Sequence, residues 1–328
     1  MRSAIVGATG VVGQEMLALL ENSPLGQEPP LLVASPRSAG KQFSFRGESL
    51  TVQGLDSNLD LSGIDVALFA AGGSTSREWA PRFVEQGVTV VDNSSAFRLD
   101  EGVPLVVPEV NGEVIPSGPA IIANPNCSTI ILLMALKPIW HLGPVRLVVD
   151  TYQAVSGAGI AGLDALERES SGGEFLPGEP FPFPIHGNLF PAIGDADGEG
   201  VTVEERKMVD ECRKILSAPD LVVQGTCVRV PVARCHSLAA TLIFDHEDQE
   251  RLTKAREALQ GANGVVFEKD PGNPPTPGPL SGAHPVSVGR LRAPFADSLQ
   301  LWIVGDQVLK GAALNTVQIA ESWSRTVG

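Results

Sequence analysis

Short apolar runs recur along the first third of the chain, each ending in small or polar residues. "RSAIVG" is the first, and "PPLLVAS" at 29–35, "GIDVALFAAGG" at 63–73, "GVTVVDNSS" at 87–95 and "GPAIIANPN" at 118–126 repeat the form. Runs of this length bounded by turn residues read as strands buried on both faces. Met16, Leu17, Leu19 and Leu20 follow the first run at helical spacing. Short apolar strands alternating with helical patterns predict an α/β, Rossmann-type, doubly wound parallel sheet.

The pattern changes near residue 127. "CSTIILLMALKPI" reads as an apolar helix, and "PVRLVVDTYQAVSGAG" at 144–159 as a long strand followed by a Gly/Ser turn. Residues 172–200 carry so much Pro and Gly that they must be mostly loop. "TVEERKMVDECRKILS" at 202–217 predicts an amphipathic helix with Thr202 as N-cap and Glu205 at the capping-box position. Residues 221–244 supply strands, 246–264 a helix with a Gly-rich stop, and "HPVSVGRLRA" and "SLQLWIVGDQ" a strand pair. "LKGAALNTVQIAESWSR" closes the chain as a helix. The reading is a dinucleotide-type first domain followed by an α+β second domain.

With 328 residues the chain is long for one core, which agrees with two domains. No uninterrupted apolar stretch is long enough for a membrane span, and the opening residues lack a signal-peptide core. A cytoplasmic protein with no membrane partner is expected. The net charge of −14 argues against binding nucleic acid, whose readers carry a basic surface. The four cysteines, Cys127, Cys212, Cys227 and Cys235, contain no C-x-x-C pair. Free thiols are therefore expected, and no metal site.

Two stretches carry candidate chemistry. Gly7, Gly10 and Gly13 lie between the first strand and the first helix, where backbone N–H groups can hold a pyrophosphate. An NAD site would place an acid at the end of the second strand. The chain instead has Ser35, Arg37 and Ser38 there, a cation and two hydroxyls suited to a 2′-phosphate, so NADP is the expected cofactor. A surface arginine in a turn is the plainer reading of Arg37. The second stretch is "ANPNCST". Cys127 sits where a strand ends and a helix begins, and the helix start lowers a thiol pKa and offers N–H donors to an oxyanion. Buried cysteines are often inert small hydrophobes, and a thiol nucleophile needs a partner for its proton. His186 and His236 both stay open for that role on sequence grounds, while His141, His246 and His284 have ordinary contexts. Cys235 and His236, as neighbours on an extended strand, would face opposite ways.

"GATGVVG", "SPRSAGK", "DNSSAFR", "VPEVN", "ANPNCST", "YQAVSGAG", "EERKM", "CVRVPV", "CHS" and "GDQVLKGAALNTVQIAE" occur in this order from residue 5 to about 321. Together they resemble aspartate-semialdehyde dehydrogenase in its bacterial form. The resemblance implies NADPH-dependent reduction of 4-phospho-L-aspartate to the semialdehyde with release of phosphate. That reaction serves lysine, threonine, methionine and diaminopimelate biosynthesis. It implies Cys127 as the nucleophile forming an acyl-enzyme thioester, His236 as general acid/base and Gln153 as the residue orienting substrate. Arg229 would clamp the α-carboxylate, Glu204 would meet the ammonium, and Arg98 and Lys207 would hold phosphate. Gly7, Thr9, Gly10, Val11 and Val12 would form the pyrophosphate loop, Ser35, Arg37 and Ser38 the 2′-phosphate site, and Gln307 a position near the nicotinamide.

The resemblance further implies residues 1–126 as the NADP-binding domain, completed by 310–328. Residues 127–309 would form a catalytic and dimerisation domain with a large mixed sheet. A homodimer is expected, with a tetramer left open. Without the resemblance, Arg98 and the Glu204/Lys207 pair would default to solvated surface charges. Cys235 departs from the Gly or Ala usual before the histidine, and close packing there could shift the imidazole. N-acetyl-γ-glutamyl-phosphate reductase is the nearest alternative, but its acetylated amine gives Glu204 no ammonium to face. A non-catalytic paralogue on the same fold is the alternative from another class. It would be expected to lose the thiol, the histidine or Arg229.

Overall fold

The computed structural model describes residues 1–327. The chain divides into two compact units, one made of Met1–Asn126 with Ala312–Gly328, the other of Cys127–Gly311.

In the first unit, β1 (Ser3–Val6), β2 (Leu31–Ala34), the hairpin β3 (Gln42–Phe45) and β4 (Glu48–Thr51), β5 (Gln53–Gly54), β6 (Val66–Phe69), β7 (Thr89–Asp92) and β8 (Ile121–Ala123) follow in order. Helices α1 (Val11–Leu20), α2 (Gly73–Glu85) and the short α3 (Pro108–Asn111) lie among them. The main sheet is parallel, ordered β5-β2-β1-β6-β7-β8. Strand order reverses between β1 and β6, the doubly wound arrangement read from the strand–helix alternation. The apolar runs lack a period of two because both faces are covered. Ile5 packs into a cluster with Met16, Leu20, Leu68, Ile319 and Trp323. Its neighbours Ala4 and Val6 pack into a second cluster with Val33, Phe69, Phe83 and Val90. Phe69 and Phe83 meet edge to face at 5.1 Å. The C-terminal helix, Leu314–Val327, belongs to this unit. Its Trp323 Nε1 donates to Gly118 O at 3.1 Å, and Asn315 donates to Val106 O and Asn124 Oδ1. The hairpin β3–β4 and helix α2, which holds Pro81, are additions to the elements read from the sequence.

The second unit opens with α4 (Cys127–Leu136), and Ser128 through Leu136 are all buried. A helix apolar on every side has to lie inside a core. It packs on a mixed sheet built from β9 (Arg146–Gln153), β10 (Val222–Gln224), β11 (Cys227–Arg229), β12 (His236–Ile243), β13 (Val265–Phe267), β14 (Val286–Arg292) and β15 (Ser298–Gly305). The order is β10-β9-β12-β15-β14-β13, with β11 also pairing with β9. The central strands run antiparallel, while β10 and β11 run parallel to β9 and β13 parallel to β14. Along β9, residues alternate between buried and more exposed, so one face meets the core and the other does not. Tyr152 and Trp302 meet on that second face, with ring centroids 5.5 Å apart.

Helix α5 (Ile160–Ser170) was not marked by the sequence, whereas the loop after it runs as expected to residue 201, without named strands or helices. Helix α6 (Val203–Ile215) begins where the capping signature places it. Glu205 N–H donates to Thr202 Oγ1 at 3.3 Å, and Thr202 N–H donates to Glu205 Oε2 at 2.8 Å. Glu205 Oε1 also accepts from Cys227 N–H, which ties the helix start to β11. Thr202→Ala removes half of this box and should lower stability by about 1 kcal/mol, read as a shift in urea midpoint at unchanged slope. Helix α7 (Arg251–Leu259) is shorter than its sequence signal, and α8 (Pro277–Leu280) is a single turn.

Candidate functional site

The second unit brings Cys127 and His236 together from positions 109 residues apart, with Sγ and Nε2 separated by 3.4 Å. Each is placed by an element end. Cys127 opens α4, and His236 opens β12, whose register sets it opposite Gly305. Gly305 leaves room for Ile131 of α4, since a Cβ there would fall 2.8 Å from the isoleucine side chain. Gly311 does the same for Cys127, where an added Cβ would lie 2.9 Å from the cysteine Cβ. The glycine thus lets the chain pass close to the Cys127 Cβ, while the cysteine remains half-buried.

His236 is fully buried, and its Nδ1 receives the Ala154 N–H at 3.0 Å. Burial first, and the Arg229 charge second, hold its pKa down to about 3, with Glu204 acting in the opposite sense. In the unfolded chain the ring regains its ordinary value of 6.5 and binds a proton that the folded ring refuses. Stability is therefore expected to fall as pH drops below about 6.5, and this contribution stops growing near 3. Denaturant titrations between those limits check it, and the slope should flatten in His236→Gln.

Arg229 lies opposite Gln153 in the β11–β9 register. Its Nη1 donates to Ala154 O at 2.6 Å, its guanidinium lies 5.7 Å from the Phe181 ring centre, and its buried Nε has no hydrogen-bond partner. Gln153 donates through Nε2 to Ser128 Oγ at 2.8 Å and to Glu204 Oε1 at 3.1 Å, and its buried Oε1 is also unpartnered. Glu204 accepts from Lys207 Nζ at 3.0 Å through its other oxygen. With Glu204 only 8% exposed, this pair is not the solvated surface bridge that spacing alone suggests. A buried donor and a buried acceptor left unsatisfied beside a half-buried thiol are what a ligand-binding pocket offers its ligand.

Two neighbours were not singled out in the sequence. Ser128, next to Cys127, anchors Gln153. Gly157, in the "SGAG" turn, borders the histidine and the arginine. A Cβ there would lie 2.9 Å from Arg229 Nη1 and 3.4 Å from His236 Cε1. Nothing in a Gly/Ser turn distinguishes a glycine that makes a bend from one that keeps a space empty.

Gln307, expected near a nicotinamide, has a second task. Its Oε1 accepts the Cys235 N–H at 2.8 Å, and its Nε2 donates to Ser156 Oγ. Cys235 itself has a φ of +74° and stands before the strand, so it is a turn residue and not the alternating strand neighbour inferred from sequence. The adjoining Arg234 pairs with the buried Asp306 at 2.6 Å. His186, the other histidine left open, is exposed in the long loop.

The remaining sequence-marked residues belong to the first unit. Gly7 has a φ of +93°, and a Cβ there would strike Ala70 O at 2.6 Å. Gly13 lies so close to Gly7 O that a Cβ would fall within 2.3 Å of it. The glycines therefore let α1 start tight against β1, with Gly7, Thr9, Gly10, Val11 and Val12 all partly open to solvent. Ser35, Arg37 and Ser38 follow β2 in a single turn, Ser35 and Arg37 exposed and Ser38 half-buried. Arg98 is buried and donates to the carbonyls of Asn124 at 2.9 Å and Asn93 at 2.8 Å, so it too is not a plain surface charge.

All four cysteines are free thiols, and only Cys127 escapes burial. Burial pushes Cys227 and Cys235 up to about 12, and Cys212 higher still. Iodoacetamide at mildly alkaline pH should therefore label one site per chain, Cys127, as read by peptide mass spectrometry. Among the described residues no group of three or more His, Cys, Asp or Glu is placed to hold a metal ion. No helix among them is long and apolar enough to cross a membrane.

Comparison with known proteins gives the family. Residues 2–117 match the family model "Semialdehyde dehydrogenase, NAD binding domain", and residues 136–310 match "Semialdehyde dehydrogenase, dimerisation domain". The aspartate-semialdehyde dehydrogenase of Aquifex aeolicus is 46% identical over 98% of this chain and 97% of its own length. That of Bacillus subtilis is 42% identical over 97% of this chain and 96% of its own. Among solved structures, aspartate semialdehyde dehydrogenase II from Vibrio cholerae, complexed with ASA, superposes with a TM-score of 0.92 at 41% identity, covering 99% of this chain and 98% of that one. Relatives above 40% identity along nearly the whole length make this chain an NAD(P)-dependent semialdehyde dehydrogenase, a member of the aspartate-semialdehyde dehydrogenase family.

Proposed function

We propose that the chain reduces 4-phospho-L-aspartate to L-aspartate 4-semialdehyde through a thioester on Cys127, with NADPH as reductant and release of phosphate. The observation that carries this reading is the approach of the half-buried Cys127 thiol to His236, beside a buried Arg229 with an unpartnered donor. Cys127 attacks the acyl carbon, and the start of α4 favours its thiolate. His236 serves as the general acid/base toward the sulfur and the carbonyl oxygen. Arg229 clamps the α-carboxylate, since a planar fork suits a carboxylate and its Nε is unspent. Glu204 meets the substrate ammonium, and Gln153, held by Ser128 and Glu204, orients the substrate through its unpartnered Oε1. Lys207 and Arg98 hold phosphate.

The first unit suits a nicotinamide dinucleotide: Gly7, Thr9, Gly10, Val11 and Val12 would hold its pyrophosphate. Ser35, Arg37 and Ser38, with no acid at the end of β2, favour the 2′-phosphate of NADP over NAD. When bound, the reduced cofactor supplies the hydride. Gln307 stands by as a nicotinamide neighbour. The half-open face of the mixed sheet, bearing Tyr152 and Trp302, supports a homodimer formed through the second unit.

The test is NADPH formation in the reverse direction, from L-aspartate 4-semialdehyde and NADP, with and without inorganic phosphate. Phosphate-dependent turnover, absent with N-acetyl-L-glutamate 5-semialdehyde, is expected. Turnover of the acetylated compound alone would replace the substrate, and none with either would favour a non-catalytic paralogue.

A further inference from the structure

A carboxylate and an ammonium on one carbon stand a fixed distance apart, so the two groups that grip them must as well. In the reaction proposed above those groups come from different elements, Arg229 from β11 and Glu204 from α6. We propose that the neighbouring Glu205 is the positioning residue that sets the distance between them. This role deepens the reaction proposed above and rests on it.

The strand that carries Arg229 is short and lies at an edge. It has three residues, Cys227–Arg229, and among the described residues β9 is the only strand paired with it. Thr226 O accepts from Thr151 N–H and Val230 N–H donates to Gln153 O, so these alternate residues face β9. The backbone groups of Cys227 and Arg229 turn the other way, toward an edge with no strand beyond it. There Phe190 exchanges two backbone hydrogen bonds with Arg229, at 2.9 and 3.2 Å. The Cys227 N–H donates to Glu205 Oε1 at 3.1 Å. A side chain of α6 thus occupies an edge position that a neighbouring strand would otherwise fill.

The same carboxylate spends its second oxygen on its own helix. Thr202 N–H donates to Glu205 Oε2 at 2.8 Å, one half of the capping box. Both partners of Glu205 are N–H donors, so bridging them takes two acceptor oxygens on one rigid group, which a carboxylate supplies and an amide does not. Glu205 follows Glu204 in sequence, and Cys227 lies two residues before Arg229. The bridge therefore joins the two elements close to the side chains whose spacing matters. An ordinary capping box needs only the bond to Thr202, and the bond to Cys227 is the part that a cap alone leaves unexplained. Misplacing a bound group by about 1 Å can cost about a hundredfold in rate, so a tie at this point has a kinetic consequence beyond holding the helix.

The test compares two variants on two aldehydes. Glu205→Ala removes half of the capping box and the tie to β11; Thr202→Ala removes the other half of the box and keeps the tie. Glu205 is half-buried, so its loss opens no core cavity, and both variants should fold with a similarly lowered urea midpoint. With L-aspartate 4-semialdehyde, NADP and phosphate, Glu205→Ala should fall below Thr202→Ala in kcat/KM by about tenfold or more. With succinate semialdehyde, the same aldehyde without the amine, the two variants should match, because one head group needs no fixed spacing. That arm is read as kcat/KM, or as an inhibition constant where the compound does not turn over. Equal losses on both aldehydes would make Glu205 a general structural support and overturn the proposal. So would a Glu205→Ala enzyme that matches Thr202→Ala on the aminated aldehyde. A wild type without phosphate-dependent turnover removes the proposed reaction and this role with it, a failure visible before any variant is compared.

Discussion

Cys127→Ser should lose turnover by on the order of 10⁴-fold or more while folding normally and keeping its affinity for the nicotinamide cofactor. The hydroxyl that replaces the thiol ionises far above neutrality. The start of α4 and the nearby His236 can favour a thiolate but cannot generate an alkoxide at pH 7. Serine is slightly smaller and the site is half-buried, so the stability change should be under about 1 kcal/mol. Single-turnover experiments with acyl phosphate separate the outcomes. Loss of the burst of phosphate release, with unchanged cofactor binding, places the defect at thioester formation. Turnover within tenfold of wild type would return Cys127 to the class of inert small hydrophobes.

Gly157→Ala should lower kcat/KM by about a hundredfold with little effect on stability. Its backbone is not in the left-handed region, so alanine brings no strain of its own. The added methyl would lie 2.9 Å from Arg229 Nη1 and 3.4 Å from His236 Cε1. The first separation is too short to persist, so the guanidinium must move, and it is held by Ala154 O on one side and faced by Phe181 on another. If Arg229 clamps substrate, most of the loss appears in KM; if the imidazole yields instead, kcat falls. Steady-state kinetics with a melting curve for the same variant reads all three. Unchanged kinetics would show that the space beside Gly157 is not where substrate sits.

The residue pattern carried much of this protein unaided. Short apolar runs, each closed by small or polar residues, specify strands covered on both sides, and β1, β2, β6 and β7 are buried at every position. Thr202 and Glu205 specify the start of α6 because a capping box is a local exchange of hydrogen bonds across three residues. An apolar segment with no polar face specifies that α4 lies in a core. What the pattern could not contain is any relation between distant positions. That Nε2 and not Nδ1 faces the thiol follows from an amide 82 residues away in sequence. That Glu204 is buried follows from Gln153 reaching it across 51 residues. That Gly157 guards a space, and that Cys235 stands in a turn braced by Gln307, depend on side chains which the mixed sheet alone brings together. Local hydrogen bonding and periodicity are written along the chain, whereas desolvation, tautomer and empty space are properties of a packed neighbourhood, so only the tertiary structure decides them.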